Sequence, residues 1–90
     1  AVALNNLAWI LVTVSDESVR DRERALILAK KAAALDRAPF ILDTLAEAYY
    51  ANGLKQEAIQ SIKEAISLAT SNRGYYEKQL KKFAAYSTQQ

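Results

Sequence analysis

From Pro39 to Thr70 the chain reads PFILDTLAEAYYANGLKQEAIQSIKEAISLAT. Leu42, Leu45, Ala46 and Tyr49 fall at i, i+3, i+4 and i+7, which is one face of an α-helix. Ala58, Ile62, Ala65, Ile66 and Ala69 form a second such face. Between them stands Gly53, the residue type best suited to the left-handed position just past a helix end. Pro39 suits a first helical turn, where its missing N–H leaves nothing unsatisfied. The spacing therefore predicts a helix over Pro39–Asn52, a tight turn, and a helix over Lys55–Ala69.

Working outward, the same pattern returns on both sides. A helix is predicted over Val2–Thr13, with Leu4, Leu7, Ala8 and Leu11 on its core side. Another is predicted over Asp21–Leu35, with Ala25, Leu28, Ala29, Ala32 and Leu35; Asp21 caps it, or Ser18 with Asp21 as a capping box. A fifth is predicted over Arg73–Tyr86, with Tyr76, Leu80, Phe83 and Ala84 inward and Asn72 as N-cap. Ser87–Gln90 form a polar tail expected to fray. The first helix matches the third at a constant offset of 38, and the second matches the fourth at an offset of 33. The first connection is thus five residues longer, within residues 13–24. The chain is an internal repeat of a helix-loop-helix unit: unit one over 1–38, unit two over 39–70 and a closing helix over 73–86.

Composition agrees. Two glycines and one proline in 90 residues, with Ala and Leu dominant, point to an all-α domain. Hydrophobic residues at 51% and charged residues at 24% suit a globular chain, not a disordered one. No cysteine is present, so neither disulfides nor thiolate chemistry arise. The absence of histidine removes the usual general base and a common metal ligand. The apolar run Leu7–Val14 is far too short to span a bilayer, and no basic segment precedes it as in a signal peptide. The chain starts at Ala1, and the expectation is a C-terminal piece of a longer protein.

Leu42, Leu45, Ala46, Tyr49, Gly53, Ala58, Ala65 and Leu68, with Leu4, Leu7, Ala8, Leu11, Ala25, Ala32 and Leu35 in the first unit, resemble the tetratricopeptide repeat family. The pattern departs from the family where Leu4 and Leu42 replace an aromatic, and where Arg37 and Thr70 replace a unit-ending proline. The resemblance implies a right-handed α-solenoid of antiparallel helix pairs whose concave face binds a segment of a partner protein. In the family the first helix of each unit lines that groove. Here those positions include Asn5, Asn6, Trp9, Thr13, Phe40, Asp43, Thr44, Glu47 and Tyr50. Some members grip a C-terminal carboxylate with Lys, Asn and Arg. Asn5, Trp9, Thr44, Tyr75 and Gln79 stand there instead, which disfavours that ligand.

The expected function is a non-catalytic protein-interaction scaffold, with a protein or peptide as partner and no cofactor or metal. An alternative starts from the first helix, which is apolar nearly all round. Val2, Trp9, Ile10 and Val12 then form a self-association face, and the chain is an end-cap that dimerises. Asp43 and Glu47 share a helical face. They are too few for a catalytic set, and either receive a basic partner peptide or are merely solvated. Asp21-Arg22-Glu23-Arg24 reads as a solvated first turn of alternating sign. The net charge of +2 arises in the C-terminal half, where Arg73, Lys78, Lys81 and Lys82 face only Glu77. Four cations give weak attraction for nucleic acid or an anionic surface, so that reading is an outsider to the polar outer face of a closing helix.

Overall fold

Strong helix formers and apolar residues at helical spacing give five α-helices in the computed structural model, which describes residues 1–13 and 19–85. They are α1 (Val2–Thr13), α2 (Val19–Leu35), α3 (Pro39–Ala51), α4 (Lys55–Leu68) and α5 (Arg73–Ala85). The described residues contain no strand, and none of their helices is long and apolar enough to cross a membrane. The helix α2 begins two residues before the expected Asp21, which therefore lies inside the first turn and is not the cap. Ser18 and the expected end of α5 at Tyr86 lie outside the described residues, as do all of residues 14–18 between α1 and α2.

The boundaries have local causes. The Ala38 carbonyl accepts from the N–H groups of Ile41 and Leu42, both at 3.0 Å, and Pro39 follows it as the first helical residue. At the other end of α3, Gly53 takes φ +78°. Its N–H donates to Tyr50 O at 3.0 Å, while the Leu54 N–H donates to Tyr49 O at 2.9 Å. This pair of bonds satisfies the last carbonyls of a helix that ends in a left-handed residue. Asn52 adds a tertiary tie, donating from Nδ2 to Arg22 O and to Ala48 O, both at 2.8 Å. Asn72 stands before α5 with φ +60°, a conformation asparagine tolerates better than most residues, and its carbonyl accepts from the Tyr76 N–H at 3.2 Å.

Each helix packs on its neighbours in sequence, and α3 also meets α1 and α5. Among the described residues α2 and α4 make no close backbone approach. Alanines dominate the core: Ala8, Ala25, Ala29, Ala32, Ala46, Ala48, Ala58 and Ala65 are all fully buried. Small side chains at crossings let helix axes come together, and Phe83, Ile41, Leu42 and Ile62 fill the space between. The helix α3 is touched by all four others, so Ile41 through Ala46 are buried without a break. Leu7 and Leu35, expected inward, are instead 41% and 69% exposed, and Leu68 is 49% exposed. Leu35 and Leu68 are the final residues of their helices, past the packed crossings.

A Cβ added at Gly53 meets no atom within 4 Å, so replacing it tests backbone conformation alone. Gly53→Ala is expected to cost about 1 kcal/mol. Gly74→Ala, inside α5 and equally open, is expected to be neutral or to stabilise by up to about 1 kcal/mol. Urea unfolding of both variants checks the contrast.

Candidate functional site

The odd-numbered helices meet around a cleft of about 210 Å³. From α1 come Asn5, Asn6 and Trp9; from α3 come Phe40, Asp43 and Thr44; from α5 comes Tyr75. Positions 5 and 9, like 40 and 44, are one helical turn apart, so each helix contributes a continuous strip. The cleft combines a buried polar floor with exposed aromatic edges. Asn5, Asp43 and Thr44 are each at most 5% exposed, whereas Phe40 and Tyr75 are 46% and 48% exposed.

Polar groups on α3 are buried because the helix is enclosed, and α5 supplies partners for its two carboxylates. Gln79 Nε2 donates to Asp43 Oδ1 and to Glu47 Oε2, both at 2.9 Å. Lys82 Nζ donates to the same Glu47 oxygen at 2.6 Å. Thr44 Oγ1 donates to Phe40 O at 3.2 Å, within its own helix. Burial raises the pKa of the Asp43 carboxyl above the ordinary aspartate range. The Gln79 hydrogen bond opposes that shift, the Glu47 charge reinforces it, and Lys82 and the Tyr75 hydroxyl oppose it. Asn5 Oδ1 is buried without a hydrogen-bond partner, the sole such side-chain atom among the described residues.

Asn5, Asn6, Trp9, Phe40, Asp43 and Thr44 from the sequence-derived set are thus brought to one cleft. Three others stand apart. Thr13 turns its hydroxyl back to Trp9 O at 2.7 Å. Glu47 lies one turn along α3 in the Gln79–Lys82 network. The Tyr50 ring packs against Phe83, with centroids 4.8 Å apart, which places it in the α3–α5 packing. On α1, Val2 and Ile10 are 56% and 54% exposed, and Val12 is partly buried. Gln79, placed by the resemblance at a ligand-gripping position, and Lys82, expected on a basic outer face, instead pair with the α3 carboxylates. Their i, i+3 spacing against the i, i+4 carboxylates of α3 was the available signal. Lys82 pairs with Glu47 while its side chain stays 46% exposed, and Arg73, Lys78 and Lys81 are exposed as well.

A larger recess of about 300 Å³ lies between α2 and α4. Arg37 and Glu64 close a two-pronged ion pair on it, Nε to Oε2 and Nη2 to Oε1, each at 2.7 Å. The bond from Arg37 lowers the Glu64 pKa. Both side chains are substantially exposed, so the pair contributes no more than about 1 kcal/mol. Among the described residues no three Asp or Glu side chains converge as a metal site requires.

The raised Asp43 carboxyl has a defined pH signature. The folded state holds this proton more tightly than the unfolded one. The resulting stabilisation is complete below the unfolded value of about 3.9 and is lost as pH rises through the raised folded value. Asp43→Asn keeps an oxygen for Gln79 and removes the buried charge. It is expected to raise stability near pH 7 by on the order of 1 kcal/mol and to abolish that fall. Glu64 runs the opposite way, adding stability above its unfolded pKa, and is common to both proteins. Subtracting their denaturation profiles between pH 3 and 8 therefore isolates Asp43, and equal profiles contradict the assignment.

Compared with protein-family models, curated proteins and solved structures, the chain matches none.

Proposed function

We propose that the chain is a tetratricopeptide-like module, two helix hairpins and a closing helix, that binds a segment of a partner protein and performs no chemistry of its own. In this reading the helices form a short right-handed solenoid with α1, α3 and α5 on the concave side. The observation that carries it is the convergence of Asn5, Asn6 and Trp9 with Phe40, Asp43 and Thr44 on one cleft between odd-numbered helices. The approach of α1 to α3 and of α3 to α5, with α2 and α4 apart, supports a stack curved toward that side. Exposed rings beside buried polar groups suit partner recognition, where aromatic contacts supply affinity and polar ones supply register.

The second reading, self-association through α1, is favoured by one observation: Val2 and Ile10 are more than half exposed on a helix that is apolar nearly all round. In that case a second copy covers α1 and there is no peptide ligand.

Selection from a random peptide display library separates the two. The groove reading expects binders whose affinity falls at least about tenfold in Trp9→Ala, the scale of losing an aromatic anchor. Ile27→Lys, at an exposed α2 position away from the cleft, is expected to leave binding unchanged. Sedimentation of the native chain is expected to give a monomer across concentration. A concentration-dependent dimer abolished by Ile10→Lys, with no cleft-dependent binder, supports the second reading instead.

A further inference from the structure

We propose that the α1–α3–α5 cleft takes a basic side chain, lysine or arginine, from an extended partner segment. This deepens the groove reading and rests on it. Three independent features of the cleft ask for one kind of ligand. The first is Asp43, 5% exposed and lining the cleft, whose hydrogen bond comes from a neutral group, the Gln79 amide. The neighbouring cation Lys82 is bonded to Glu47. A carboxylate offers about four acceptor positions, so Asp43 retains capacity for a charged donor.

The second feature is the Asn5 amide, also 5% exposed and lining the cleft, with its Oδ1 lacking any donor. A buried acceptor left alone is costly, and native structures rarely keep one without a use. The third is the aromatic edge formed by Trp9, Phe40 and Tyr75. Ring faces attract cations and also cover the aliphatic stem of a long basic side chain. A positively charged head with several N–H donors on an apolar stem meets all three features. An acidic side chain would meet Asp43 with repulsion. A purely apolar one would leave Asn5 Oδ1 unpaired and the remaining acceptor positions of Asp43 dry.

Trp9 is the single tryptophan of the chain, so its fluorescence reports from this cleft alone. The probe is a blocked pentapeptide with central arginine between alanines, compared with the same peptide carrying citrulline or glutamate. Arginine is expected to give a saturable change in Trp9 emission and to shift the Asn5 and Gln79 side-chain amide resonances. Citrulline, equal in shape but uncharged, is expected to bind at least about tenfold more weakly, as is arginine to Asp43→Asn. Asn5→Ala is expected to weaken arginine severalfold, with the helical circular dichroism of both variants retained. Equal binding of citrulline or glutamate, or full binding by Asp43→Asn, overturns the cation assignment and leaves the groove reading standing. Silence toward all three peptides overturns the cation assignment as well. If display-selected peptides also fail to bind, the groove reading falls with it.

Discussion

The close crossing of α3 with all four other helices is the constraint from which the rest follows. It is possible because Ala8, Ala46, Ala48, Ala58 and Ala65 are fully buried and small enough for helix axes to approach. Over residues 41–46 a helix enclosed in this way leaves every residue buried. Its apolar residues fill the core, as Ile41 and Leu42 do. Its polar residues have nowhere else to go, so Asp43 and Thr44 are buried with them.

Burying a carboxylate is tolerable only where partners surround it. The closing helix α5 provides them. Gln79 bridges Asp43 and Glu47, and Lys82 neutralises Glu47. Besides burying Phe83, α5 thereby supplies hydrogen-bond and ion-pair partners to both carboxylates of α3. On the other side α1 supplies Asn5 and Trp9 without giving Asn5 Oδ1 a donor. On the α5 side each carboxylate has a donor, and on the α1 side Asn5 Oδ1 has none. Under the proposed function, that asymmetry is where a partner gains most from entering.

The helices were legible because their signals are local. Apolar residues at i, i+3, i+4 and i+7, with Pro39 and Gly53 as punctuation, set α1, α3 and α4 to within a residue at each end. Strips on α1 and α3 were legible because fixed spacing puts residues on one helical face. Tertiary facts were not. Nothing in the spacing of Leu7 or Leu35 says that both stay largely uncovered. Ile41 lies beside the expected stripe and is buried only because a second layer covers α3. Lys82 looked like part of a solvated basic face, and finding Glu47 opposite it requires knowing the register of α5 on α3. The unpartnered oxygen of Asn5 is likewise invisible in sequence, since it depends on what every neighbour fails to donate.

The most direct test is an NMR titration of the Asp43 side-chain carboxyl carbon, followed together with the Gln79 side-chain amide. Enclosure of α3 predicts that Asp43 titrates above the ordinary aspartate value of about 3.9 and that the Gln79 amide shifts in the same step. Titration at or below that value, with Gln79 unmoved, would mean that α3 is open to water on this face and that α5 does not lie where Gln79 reaches it.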